Sequence, residues 1–207
     1  MLIRQHVLPL AKQAGFSRSG RTFRLMVEGG DAALFTFSPH AVDPTKVVFD
    51  VEFHVVPAPY WSWIILADED TMKPDRSGAF VTSSVVPPAQ VAHRPDEEMP
   101  FRGRWAFEPD RIASMTLCGD ALGQLLQSEV FPRMRYLLAR DNLLDAVRRR
   151  DPSMTMRMTP LLREIVLRID DAPADEMASL LAAAEEAGVP NAFLPWARRR
   201  LTSRSSR

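Results

Sequence analysis

Apolar and polar positions alternate most regularly over residues 46–56, KVVFDVEFHVV. Val47, Phe49, Val51, Phe53 and Val55 fall on one side of this run, and Val48, Asp50, Glu52, His54 and Val56 on the other. A period of two sustained over this length predicts a half-buried antiparallel strand, with one face on the core and the other wet. Residues 22–28 alternate in the same way, setting Phe23, Leu25 and Val27 against Thr22, Arg24, Met26 and Glu28. After Gly29, Gly30 and Asp31 the run around 32–38 puts Phe35 and Phe37 on one side, so the pair predicts a β-hairpin. Residues 79–86 and 101–107 read as two further short strands.

Elsewhere the period changes to that of a helix. Ile3, Val7, Leu10 and Ala14 share one face, which predicts a helix over 2–14. Pro9 lies inside it and removes a backbone donor, so a kink or a shortening is expected there. Gly15 suits a left-handed C-cap, and Phe16 is placed to fold back on the last turn. From Glu108 onward Leu122, Leu125, Leu126, Val130, Met134, Leu137 and Leu138 form an apolar stripe, with Pro132 expected to kink or split the helix. A helix capped by Asp141 follows and ends in Arg148–Arg150, which suit the negative end of a helix. Helices are also read over 160–169, over 174–187 up to Gly188 and Pro190, and from a cap at Asn191 to the arginines Arg198–Arg200. The tail from Thr202 is expected to fray. Residues 57–66 open on two prolines and read as irregular, 67–78 as a polar loop, and 87–100 as a loop too rich in proline for a regular element.

The expected fold class is therefore α+β. An antiparallel sheet of four to five strands is packed on its apolar face by the N-terminal helix and the long helix near 120–140. The organisation expected is an α+β domain over 1–150, with a C-terminal helical extension over 151–207 packed on it.

Composition narrows the function classes. In 207 residues, 26 Lys and Arg balance 26 Asp and Glu, which argues against a general nucleic-acid binder with a basic footprint. Cys118 is the only cysteine, so no internal disulfide can form, and a reducing, cytoplasmic setting fits. No apolar run approaches the ~20 residues that a membrane span needs. The N-terminal stretch is broken by Gln5, His6 and Lys12 and does not read as a secretory leader.

One segment matches a chemical motif. Residues 15–22, GFSRSGRT, follow the phosphate-cradling pattern G-x-x-x-x-G-K-[ST], with Arg21 in the lysine position. A phosphate loop needs a strand before it and a helix after it. Here a helix precedes and a strand follows. The segment therefore reads as a helix cap, a basic turn and a strand start, leaving only weak anion capture by Arg18 and Arg21. No cofactor is expected.

Asp50, Glu52 and His54 share one strand face and are the candidate catalytic residues, for acid–base chemistry or a metal. Neighbours on such a face stand about 6.5–7 Å apart, far for three ligands on one ion. The plain alternative is the wet face of the sheet. Tyr60, Trp61 and Trp63 suit a partner surface or the closing of one end of a core, and the sequence leaves both open. Cys118 reads as a small buried residue. His6, His40 and His93 lack metal-ligand spacing, and no nucleophile elbow, H-E-x-x-H or G-x-G-x-x-G is present, so no metal is expected.

The order of Gly15, Phe16, the basic turn to Arg21 and Thr22-Phe23-Arg24, then Phe49, Val51 and Phe53, then Arg102, Arg104 and Trp105, then Phe131, Pro132, Met134, Leu137, Leu138, Leu143 and Leu144 resembles a bacterial family known as domain of unknown function 4304. The resemblance spans roughly the first 150 residues. It implies an α+β fold and no established activity, and the long middle segment departs from it. The resulting expectation is a non-catalytic binding protein with a protein partner and no membrane. Its binding positions would be Arg18, Arg21, Arg24, Tyr60, Trp61, Trp63, Arg104 and Trp105. The alternative is an enzyme using Asp50, Glu52 and His54, with Arg24 or Arg104 holding an anionic substrate.

Overall fold

The computed structural model describes residues 1–65, 73–93, 103–190 and 192–205. Its spine is β4 (Val47–Val56), the strand with the longest alternation. Consecutive antiparallel neighbours β1 (Ser17–Ser19), β2 (Thr22–Met26) and β3 (Ala32–His40) lie to one side of it. On its other side β4 is shared. Its first residues pair with β7 (Arg104–Phe107) and its last with β5 (Val81–Ser84). β6 (Ala92–His93) extends β7, and β8 (Thr155–Met156) extends β5. All these pairings are antiparallel.

The sheet thus has eight strands among the described residues, not four to five. The three additional strands are β1, β6 and β8, of three, two and two residues. Segments so short show no period, and only pairing with a longer neighbour makes them strands. β1 and β2 form a hairpin closed by Gly20 and Arg21, with Ser19 opposite Thr22 and Gly20 at φ +60°. Glycine with positive φ at the first position of a two-residue loop matches the twist of the strands it joins.

The apolar face of the sheet carries an aromatic core. Phe23 stacks on Phe35 at 4.5 Å, Phe16 meets Phe35 edge-on at 5.3 Å, and Phe131 reaches both Phe16 and Phe35 from the helical layer. The N-terminal helix forms as predicted, but in two windings, a π-helical turn Ile3–Val7 and α1 (Leu8–Gln13). The long stripe behaves alike. α3 (Ile112–Leu125) passes through a π-helical turn, Leu126–Val130, into α4 (Phe131–Leu138). Each interior proline, Pro9 and Pro132, is the second residue after a π-turn. A proline lacks the N–H and crowds the carbonyl four residues back, and the wider winding accommodates both without breaking the helix. α3 packs on the N-terminal helix through Gly119, where an added Cβ would lie 2.4 Å from His6 Cγ.

Helix ends follow their chemistry. After α1, Gly15 N–H bonds Lys12 O and Phe16 N–H bonds Ala11 O, with Gly15 at φ +85°. This is the paired closure expected of glycine past a helix, and Phe16 packs back as predicted. The same two bonds close α5 (Arg140–Arg148), from Arg150 to Val147 O and from Asp151 to Ala146 O, but there the left-handed position is Arg150, φ +51°. We expect Arg150→Gly to raise stability by about 1 kcal/mol, since glycine alone takes this conformation without cost. Urea unfolding reads the change, and a loss of stability would count against it. α5 begins on Ala139 with no side-chain cap, so Asp141 lies inside the first turn and is not the cap.

Two further expectations change. Residues 57–66 were expected to be irregular, yet α2 (Ala58–Ile65) forms there. Pro57 and Pro59 sit at its start, where a missing N–H costs no helical bond. The C-terminal helices α6 (Pro160–Arg168), α7 (Ala174–Glu186) and α8 (Phe193–Ser205) close the molecule. α8 runs on through the tail expected to fray. Asn191 lies outside the described residues. One continuous core runs from Leu2 to Ala197 through both the sheet region and the C-terminal helices. No helix among the described residues is long and apolar enough to cross a membrane.

Candidate functional site

The second face of the sheet is polar, and strand register lays it out in rows, because paired residues stand side by side on one face. One row runs Arg24, Leu34, His54, Thr82 and Thr155 across β2, β3, β4, β5 and β8. The next runs Thr22, Thr36, Glu52 and Ser84. Ser38 and Asp50 are paired in the third, while Arg104 on β7 stands opposite His93 on β6. At the far end Ala32, Leu34 and Val56 are covered by Trp61 of α2. The face predicted to be wet is therefore dry at this end, buries Val48 at the other, and is polar between them.

His54 sits at the boundary between these regions and is only 3% exposed. Its Nε2 lies 3.2 Å from Thr36 Oγ1 and its Nδ1 3.0 Å from Thr82 Oγ1. One nitrogen donates to a hydroxyl and the other accepts from one, as neutral imidazole requires. Burial, reinforced by the nearby Arg76 and Arg157 guanidiniums, pushes its pKa down to about 4. His54 is thus uncharged at neutral pH. Between pH 4 and 6.5 the unfolded chain binds this proton and the folded chain does not, so stability falls as pH drops through the window, by ~3 kcal/mol over its full width. Urea midpoints between pH 7 and 5 should show this slope, and H54Q should flatten it. An unchanged slope in H54Q would refute the assignment.

The other two members of the trio are not brought together with His54. Asp50 is held by His40, Nε2 to Oδ2 2.6 Å, with Arg104 Nε at 3.6 Å from Oδ1. Glu52, half-buried between them, has no side-chain partner among the described residues. No group of three His, Cys, Asp or Glu side chains among the described residues could hold a metal ion. His40 was not singled out from the sequence, because its approach to Asp50 depends on the β3–β4 register alone.

The predicted binding residues separate into two groups. Arg24 and Arg104 lie on the polar face, with Arg24 Nε donating to Pro74 O at 2.7 Å. The aromatic residues do not form a contact surface. Tyr60 is 4% and Trp61 7% exposed, and Trp63 packs edge-on against Phe193 of α8 at 5.2 Å, so this segment closes the core. Trp105 is fully buried, its indole N–H donating to Val85 O at 2.7 Å. Apolar area removed from water on this scale outweighs any benefit of keeping the rings free for a ligand. Arg18 is spent on its own hairpin, with Nε to Gly20 O at 2.8 Å and its guanidinium over Phe23. Arg21 is exposed in the hairpin loop. Arg102 lies outside the described residues. Cys118 is buried, and burial pushes its thiol up to about 12, so it is no nucleophile.

Two larger recesses lie elsewhere, and a smaller one of about 310 Å³ is lined by residues including Ser84, Glu129, Arg133 and Ser153. One of about 590 Å³ runs along the N-terminal helix and α3, beside the contact between His6 Nδ1 and Asp120 Oδ1. The other, of about 610 Å³, lies beside Arg140, Asp170 and Arg200, whose charges are paired with one another. Neither gathers a nucleophile with a base. Comparison with known proteins finds no matching family model, no matching curated protein and no matching solved structure.

Proposed function

We propose that this is a non-catalytic binding protein that recognises a protein partner with the polar face of its sheet. The observation that supports this reading is the state of the polar groups there. His54 and Asp50 are already engaged and hold their neighbours in place. Thr22, Ser38, Glu52 and Ser84, in contrast, have no side-chain partner among the described residues. Fixed neighbours around polar groups that no described protein group engages make a pre-organised surface, which lowers the ordering cost of binding. The enzyme reading is the weaker one, because both nitrogens of His54 are occupied in a buried site and no proton acceptor stands free beside Glu52. The resemblance to domain of unknown function 4304 belongs to the same proposal. It rests on the Gly15–Phe16 cap, the strand start at Thr22–Arg24 and the helix carrying Pro132.

Affinity capture at native expression in the source cells tests it. The unaltered chain should recover a stoichiometric partner that E52R/S84R loses while remaining folded. Equal recovery by both chains, or no recovery by either, would refute the proposal.

A further inference from the structure

The His54 end of the polar face gathers arginines that form no ion pair among the described residues. Arg157 follows Thr155 by two residues, and its N–H continues the ladder to Phe80 O at 3.3 Å. By strand alternation it stands on the side of the sheet that carries Thr82 and Thr155. Its Nη1 donates to Ser77 O at 2.9 Å, which sets the guanidinium against the short turn Arg76–Gly78. That turn is built by Asp75, whose Oδ1 accepts from Ser77 N–H at 2.7 Å and Ser77 Oγ at 2.6 Å. Asp75 is thereby engaged with its own turn and ion-pairs with no arginine among the described residues. On the opposite side Arg24 anchors the same segment through Pro74 O.

Carboxylates neutralise several arginines elsewhere in the molecule. Arg104, Arg133, Arg140, Arg168 and Arg200 all stand within 4.0 Å of a carboxylate. Arg24, Arg76 and Arg157 do not, among the described residues, and Arg76 has no side-chain partner at all. The backbone also commits Arg157 to this position. Met158 takes φ +72°, a left-handed conformation costly for a residue with a side chain, and Arg163 Nε pins Arg157 O at 3.0 Å. Both Arg76 and Arg157 depress the proton affinity of His54, so their fields meet at that residue.

We infer that this corner binds an oxyanion, a carboxylate or phosphate group, through the Arg76 and Arg157 guanidiniums and the Thr155 hydroxyl. Guanidinium is the cation matched to such groups, offering paired N–H donors in a plane. The uncharged His54 beneath, fixed by its two threonines, adds no charge of its own. An anion seated there favours the protonated imidazole. The inference rests on the binding reading above and specifies what the partner or ligand presents to one end of the face.

The test is titration of the full chain at low ionic strength with two probes, inorganic phosphate and an acetylated hexaglutamate peptide, followed by calorimetry and by NMR of the His54 ring. At least one probe should bind with Kd about 1 mM or tighter and raise the His54 pKa. R76A/R157A should weaken binding at least about tenfold. R76A alone, at an exposed residue with no partner to lose, should weaken it in the same direction if the double variant fails to fold. R18A/R21A removes the same charge from the hairpin and should change little. Tighter binding of phosphate identifies a phosphoryl ligand, and tighter binding of the peptide an acidic protein segment. The inference is overturned if neither probe binds below about 10 mM, or if R18A/R21A weakens binding as much as R76A/R157A. Such a failure leaves the partner-capture result intact, because Glu52 and Ser84 lie in the next row.

Discussion

Arg140→Ala should lower stability by about 3–5 kcal/mol, the range seen when one partner of a buried ion pair is removed. Arg140 opens α5 and is 16% exposed at its side chain, while the Asp31 carboxylate facing it is 9% exposed. It forks onto Asp31, with Nε to Oδ2 at 2.9 Å and Nη2 to Oδ1 at 3.0 Å, and its Nη1 reaches Asp170 Oδ2 at 2.6 Å. Asp31 also accepts from Ala58 N–H at 2.7 Å, and Asp170 is held by Arg200 of α8. One guanidinium thus joins the start of β3, the start of α2, the end of α6 and the last helix. Its removal leaves two carboxylates facing one another with Asp31 buried and unpaired. Arg140→Lys should recover only part of the loss, because a single ammonium cannot fork. Burial alone would raise the Asp170 pKa, but hydrogen bonds from Arg200 and Arg140 outweigh it and lower it. The stability it contributes is therefore present above the usual carboxylate pKa and lost as pH falls through the lowered one. Urea unfolding of R140A at pH 7 measures the main effect, and a loss below about 1 kcal/mol would place the network among surface pairs of little consequence.

Trp105→Ala should cost about 3–5 kcal/mol as well, by a different mechanism. The indole is completely buried on β7, stacks at 6.4 Å on Phe49, and satisfies Val85 O. Alanine leaves a cavity and an orphaned carbonyl. Trp105→Phe fills much of the space and should lose mainly the hydrogen bond, about 1–2 kcal/mol. The experiment separates two roles for this residue. A contact tryptophan would leave thermal and urea stability unchanged on replacement and would change only binding.

Legibility from sequence followed the length of each signal. The ten-residue alternation of β4 carried its own evidence, and the strand is as read, but the face expected to be wet buries Val48, His54 and Val56. The Gly15–Phe16 cap was equally clear, because glycine, helix end and returning aromatic stand together in the chain. β6 and β8, two residues each, carry no period. The helix at Ala58–Ile65 was obscured by prolines that break a helix inside but suit its first turn. At the candidate site, Asp50, Glu52 and His54 could be assigned to one face, along with Arg24 and Arg104 as neighbours. Their separation into a carboxylate hydrogen-bonded to a histidine, a carboxylate without a side-chain partner among the described residues and a neutral imidazole could not be read, since it depends on His40, Thr36 and Thr82, which only the pairing of β3 and β5 with β4 supplies.

By itself the sequence determined what period, cap chemistry and composition can encode locally: the α+β class, the antiparallel hairpins, the amphipathic helices and the absence of any phosphate-loop context around GFSRSGRT. Tertiary structure decided the rest. It turned Tyr60, Trp61, Trp63 and Trp105 inward, because large apolar rings gain more from burial than a free surface offers. It paired Arg104, Arg133, Arg140, Arg168 and Arg200 with carboxylates, while Arg24, Arg76 and Arg157 have none within 4.0 Å among the described residues. Charge balance along a chain gives no sign of this, because ion pairs form between residues that are close in space and remote in sequence.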